Sequence, residues 1–378
     1  MKKIFAILTG VVIIFSFFVY DVCNIKEEKY EKTKQVNLES KELFEDYYNK
    51  ANELLNTMTI DEKITQLFLV RVPDNSLEEV KKYQFGGYIL FGKDTKNLPK
   101  DELKNKIASW QNVSKIPLLI AVDEEGGTVV RISNNKNLRE TKFKSSQELY
   151  NEGGFDLIKE DTKEKNNLLY ELGINVNLAP VADVSTNPDD YMYKRSFGKD
   201  YTKTKEYIKT VIRASKDTNV SNVLKHFPGY GNNVDTHTGV AIDNRTLDEF
   251  RNNDFVPFIQ GINDGAEAIL VSHNIIENIE NVPASLSKNV HNILKNELKF
   301  SGVIMTDDLA MSGITKNITE SPSVMALKAG NDLIIITDYL TGINDIKNSL
   351  NNNEISEDLI NKAVLKIIAW KYYKGLIK

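Results

Sequence analysis

The chain has a single cysteine, Cys23, in 378 residues. One thiol excludes an intramolecular disulfide framework and a cysteine-rich metal site. Histidine is almost as sparse, with four residues at 226, 237, 273 and 291, and none falls in a metal-binding spacing such as H-E-x-x-H. There is no excess of positive charge. The formal net charge is −5 and the pI is near 5.6, which argues against a polyanion-binding surface and against nucleic acid as a partner. No internal repeat or low-complexity tract occurs. What is present is globular in kind: 41% hydrophobic and 27% charged residues exclude wholesale disorder. The length allows two domains, or one large α/β barrel with extensions.

The N-terminus is set apart before the fold is read. Lys2 and Lys3 precede an uncharged apolar run from Ile4 to Tyr20. Its length approaches the roughly 20 residues that span a bilayer. No small-x-small cleavage site follows, and Asp21 and Val22 before Cys23 do not resemble a lipobox. Residues 1–23 therefore read as an uncleaved signal-anchor ahead of a cleaved signal. Either reading places the body outside the cytoplasmic membrane, anchored or secreted. Residues 24–47 are dense in Lys and Glu and read as a solvated linker, leaving residues 48–378 for the folded domain.

Beyond Tyr47, short β-rich apolar runs alternate with amphipathic segments. The runs are Ile64–Val72, Gly87–Phe91, Pro117–Val122, Asn175–Val181, Asn222–His226, Ala268–Ser272, Gly302–Thr306 and Asp332–Thr337. Several are nearly continuous Val, Ile and Leu, as in strands buried on both faces. Helical patterns fall at Lys159–Leu172, Thr202–Lys216, Leu247–Asn263 and Lys288–Leu298. Eight such units imply an α/β fold, a (β/α)8 TIM barrel. An open doubly wound sheet would normally carry a Gly-rich phosphate turn after its first strand, and none occurs. Barrel active sites sit at the C-terminal strand ends, which here carry Asp123, Asp183, Lys225, His226, His273 and Asp307.

Two segments carry most of the chemistry. In VLKHFPGYGNNVDTHTG, Asp235 and His237 stand two apart, so an extended loop points both the same way. The pair suits general acid/base work, although an aspartate capping a loop histidine would look the same. In GVIMTDDLAMSG, Asp307 closes a strand and Asp308 opens the next connection. One carboxylate at the barrel mouth can act as a nucleophile toward a sugar C1, or both can cap the following helix. His273 reads as a packing or hydrogen-bonding residue near the site, and His291 as exposed. The stripe Ile360, Ala363, Ile367 and Trp370 reads as a core-facing helix.

Together DEEGG at Asp123–Gly127, KHFPGYG with D-T-H, and VIMTDDLAMSG resemble glycoside hydrolase family 3, in its β-N-acetylhexosaminidase branch. The resemblance runs from about Met58 to the C-terminus. It implies a retaining exo-enzyme that releases terminal non-reducing β-linked N-acetylglucosamine from oligosaccharides or muropeptides. By that likeness Asp307 is the nucleophile and His237 with Asp235 the acid/base dyad. Asp123, Arg131, Arg195, Lys225 and His226 then hold the sugar. No metal or organic cofactor is implied, and a monomer is expected. The sequence departs from the family pattern at Tyr230, Glu124 and Thr128, where histidine, glutamine and arginine are usual, and the stretch from Lys225 to His237 is one residue short. Three other readings remain: a family 3 β-glucosidase, a Schiff-base lyase acting through Lys225, and a wall-binding barrel without catalysis.

Overall fold

The computed structural model describes residues 42–233, 241–310, 318 and 320–378, of which Leu43–Lys378 form one compact unit. Each apolar run yields one strand: β1 (Phe68–Arg71), β2 (Gly87–Leu90), β3 (Leu119–Val122) and β4 (Val176–Asn177), then β5 (Ser221–Phe227), β6 (Ala268–Val271), β7 (Val303–Thr306) and β8 (Ile334–Ile336). They lie in the order β7-β6-β5-β4-β3-β2-β1-β8, every pair parallel, and a Met305–Leu333 bridge brings β7 onto β8. The ring is the expected (β/α)8 barrel. Nearly every strand residue is buried, because helices cover the outside while side chains fill the inside.

Boundaries shift where a local signal overrides the apolar run. The stretch from Ile64 does not begin as a strand. Thr59 and Glu62 form a capping box, with the Thr59 N–H donating to Glu62 Oε2 at 2.9 Å, so the helix Ile60–Gln66 takes the first residues. The Asn175–Val181 run shortens to two residues because the Ala179 N–H turns back to the Asn177 carbonyl at 2.8 Å, and pairing resumes only as a single bridge between Val181 and Lys225. The helix expected at Lys159–Leu172 runs from Ser146 to Glu171, with a break at Gly154 (φ 64°). Leu247–Asn263 is helical throughout but carries a π-helical turn at Phe250–Asp254.

His291 is a correction. It is 1% exposed rather than at the surface, its Nδ1 donating to the Ser287 carbonyl at 2.7 Å, and burial holds its pKa below the usual histidine value. The stripe Ile360, Ala363, Ile367 and Trp370 is buried in the C-terminal helix Glu357–Tyr373, as its spacing implies. Among the described residues no helix is long and apolar enough to cross a membrane, and the Ile4–Tyr20 stretch lies outside them.

Candidate active site

The strand ends deliver their polar residues to one cavity of about 420 Å³. Asp123, Arg131, Arg195, Lys225, His226 and Asp307 all line it, so six of the eight residues singled out from the sequence come together. The other two, Asp235 and His237, lie outside the described residues.

At the centre is a buried ion cluster. Lys225 Nζ lies 2.6 Å from Asp123 Oδ1 and 2.7 Å from Glu125 Oε1. Arg195 reaches the same glutamate with two nitrogens, Nη2 to Oε1 at 2.7 Å and Nε to Oε2 at 3.1 Å. Burial alone would push the Glu125 carboxyl up, but the adjacent Arg195 and Lys225 outweigh it and hold the group well below the usual range. Burial would likewise neutralise Lys225, yet Asp123 and Glu125 raise its pKa and keep it charged. A protonated amine clamped by two carboxylates has no lone pair to offer a carbonyl, which argues against the lyase reading.

His226 is oriented by its neighbours. Its Nδ1 lies 2.7 Å from Asp183 Oδ2, and its Nε2 lies 3.3 Å from Arg195 Nη2. Asp183 also accepts the Tyr230 N–H at 2.8 Å, tying the loop after β5 to the ring beneath it. Gly229 lets that loop pass: a Cβ there would meet Asp254 Oδ1 at 2.3 Å, and its φ is +123°.

Asp307 follows β7 directly, its N–H bonded to the Val271 carbonyl at 3.0 Å. Burial would raise its pKa, but His273, His226 and Lys225, with the Asp308 N–H, hold it below the usual aspartate range. The carboxylate is thus an ionised, half-buried group in the cavity wall. Asp308 lines the same cavity, its carboxylate accepting from the Ala310 N–H at 3.0 Å and the Thr337 hydroxyl at 3.3 Å. His273 Nε2 donates to the Asp308 carbonyl at 3.0 Å and its Nδ1 meets Ser285 Oγ at 2.7 Å, so it braces the connection that follows β7.

The fit to known proteins follows from this arrangement. The profile of the glycosyl hydrolase family 3 N terminal domain matches residues 59–369. The chain belongs to glycosyl hydrolase family 3. Beta-hexosaminidase A of Pseudoalteromonas piscicida is 28% identical over 80% of this chain and 56% of its own length. Beta-hexosaminidase LpqI of Mycobacterium tuberculosis is 29% identical over 82% of each chain. A family 3 beta-N-acetylglucosaminidase structure from Paenibacillus sp. str. FPU-7 matches with a TM-score of 0.78 at 27% identity, over 85% of this chain and 63% of that one. The chain thus spans little more than half of the first relative and under two thirds of the Paenibacillus protein.

Two departures from the family 3 pattern acquire a physical reading. The Glu124 carboxylate accepts the backbone N–H groups of Arg131 and Ile132, both at 2.7 Å, and of Ser133 at 3.1 Å. The Ser133 hydroxyl adds a fourth bond at 2.5 Å. Glu124 is therefore the anchor of the turn that presents Arg131. Tyr230 packs edge-on against His226, with centroids 5.6 Å apart, and contacts the Tyr191 ring at 5.9 Å. Glu125, Tyr191 and Arg71 were not singled out from the sequence, although Glu125 stands in the DEEGG stretch. Its adjacency to Glu124 hid which carboxylate joins the Lys225–Arg195 ion cluster.

Proposed function

We propose that the protein is a retaining exo-β-N-acetylglucosaminidase that removes terminal non-reducing N-acetylglucosamine from peptidoglycan fragments. We further infer that it acts as a monomer outside the cytoplasmic membrane. The observation that carries the activity is the ionised Asp307 in one cavity wall with Asp123, Arg195, Lys225 and His226, whose two cations are held by Glu125. The relatives named beta-hexosaminidase and the Paenibacillus beta-N-acetylglucosaminidase support the sugar assignment.

In this reading the cluster seats the sugar by its hydroxyls, and Asp307 attacks C1 as the glycosidic bond breaks. His237, stabilised as a cation by Asp235, gives its proton to the leaving oxygen. The same imidazole then takes a proton from water, which attacks C1 and releases Asp307. An assay of aryl β-N-acetylglucosaminide against aryl β-glucoside tests the donor preference directly. Equal or greater turnover of the glucoside would count against it.

Two variants divide the roles. His237→Ala should slow an unactivated disaccharide by about 10²–10⁴-fold, and an aryl glycoside with a good leaving group far less. Equal losses on both substrates would remove the acid role. Glu125→Gln keeps the shape but leaves Lys225 and Arg195 short of one negative charge. Its kcat/KM for the aryl substrate should fall by about 10–100-fold, and an unchanged value would show that the cluster does not seat the sugar.

A further inference from the structure

A second ion cluster lies against the loop after β5, and the mechanism leaves it unused. Arg245 Nη1 donates to Asp254 Oδ2 at 2.7 Å. Its Nη2 and Nε donate to the Asp243 carboxylate, at 2.7 Å to Oδ2 and 3.0 Å to Oδ1. Both aspartates are buried, and the guanidinium lies over the Phe250 ring with its carbon 4.2 Å from the centroid. None of Asp243, Arg245 and Asp254 lines the sugar cavity.

The cluster joins two stretches of chain, residues 229–233 and 241–245, between which no backbone hydrogen bond runs among the described residues. Side chains make the ties instead. Asn233 Nδ2 donates to Asp243 Oδ2 at 2.7 Å, and Arg245 Nη2 to the Gly229 carbonyl at 3.4 Å. The approach is close, since a Cβ on Gly231 would meet Arg245 Nη2 at 2.5 Å. The second stretch is in turn fixed to the barrel, because Ile242–Asp243 pairs in parallel with Ile275–Ile276 beyond β6. In the sequence, residues 234–240 connect the two stretches, with Asp235 and His237 among them.

A cluster of this kind is a weak source of stability, because apolar side chains of similar volume hold a fold as well. What it supplies is direction. A planar guanidinium shared by two carboxylates accepts few arrangements, and both stretches are tied to it. We propose that Arg245 is a positioning residue for proton transfer: with Asp243 and Asp254 it fixes both ends of the segment that carries Asp235 and His237. The assignment rests on the acid/base role proposed above and adds the group through which the barrel sets the place of His237.

The test measures kcat/KM on a neutral N-acetylglucosamine disaccharide and on an aryl β-N-acetylglucosaminide with a good leaving group. Arg245→Met should slow the disaccharide by about 10–100-fold, the cost of moving a reacting group by roughly 1 Å, and the aryl substrate by less than about threefold. Arg245→Lys should recover part of the loss. A leaving-group pattern unlike that of His237→Ala, or no loss on the disaccharide, overturns the assignment. Asn233→Ala cuts one tie between the two stretches and leaves no charge unpaired. It should show the same pattern at about 3–10-fold, which judges the proposal even where Arg245→Met does not fold. A double-mutant cycle on the disaccharide gives the readout that a merely structural role would not. In a His237→Ala background, Arg245→Met and Asn233→Ala should cost nothing further, and losses that multiply overturn the proposal. If His237→Ala slows both substrates equally, the acid role falls, while the cycle still decides whether Arg245 acts through His237.

Discussion

Asp307→Asn should abolish turnover, with kcat reduced by more than about 10⁴-fold, while the unfolding midpoint moves by only a few degrees. The reasons are geometric and electrostatic. The amide has the same shape as the carboxylate and can still accept the Asp308 N–H, now 2.8 Å from Asp307 Oδ1. It cannot form the glycosyl ester that a retaining mechanism needs, nor stabilise positive charge at C1. Because His273, His226 and Lys225 overcome the burial penalty and hold Asp307 below the usual range, its carboxylate stays ionised into acid. The acidic limb of kcat/KM should therefore belong to another group. Steady-state kinetics beside thermal unfolding of both proteins checks the point, and near-normal activity would sink the nucleophile assignment. Asp308→Asn offers the contrast. That carboxyl is pushed up by burial and by Asp307, and its oxygens are taken by Ala310 and Thr337, so a much smaller loss is expected.

What the sequence disclosed follows from which signals are local. The eight strands were legible because double-sided burial leaves uninterrupted Val, Ile and Leu, and a polar residue closing such a run has few innocuous explanations. Asp307 and Lys225 could be found that way. Strand ends were legible only where chemistry marks them, so the Thr59–Glu62 capping box was overlooked and a helical turn was read as strand. His291 failed for a different reason. Its neighbours Lys288, Asn289 and Asn292 are polar, and only packing against other elements shows that this one position faces inward. The Glu124–Glu125 pair marks a harder limit. Two adjacent identical side chains divide into a backbone anchor and a cluster member, and that division depends on chain reversal at Gly126. A Cβ at Gly126 would meet the Lys144 carbonyl oxygen at 2.2 Å, a contact between residues far apart in sequence.

Lys371→Met should stabilise the protein at neutral pH and remove much of the rise in stability between pH 7 and 9.5. Lys371 lies on the C-terminal helix four residues after Ile367, so helical spacing carries it onto the apolar face. It is 0% exposed, and its Nζ donates to Gln66 Oε1 at 2.8 Å. That oxygen belongs to an amide whose nitrogen is already bonded to the Gln84 and Phe85 carbonyls, at 2.7 and 3.1 Å. With no carboxylate beside it, burial alone pulls the Lys371 pKa down to about 7 from the ordinary 10.5. The sign follows from proton counts. Between those two values the unfolded chain binds a proton that the native state does not, so stability rises with pH. At pH 7 the penalty amounts to about 3–5 kcal/mol, and near pH 9.5 it shrinks to about 1–2 kcal/mol. Methionine fills the same space without a charge to desolvate, but strands Gln66 Oε1 at a cost of about 1–3 kcal/mol. The variant should thus gain about 1–3 kcal/mol at pH 7 and gain nothing, or lose slightly, at pH 9.5. Urea unfolding of both proteins at the two pH values measures the difference, and a pH-independent gap would show that Lys371 is neither buried nor neutral in the way described. The lysine touches none of the cavity residues, so kcat/KM should not move with it.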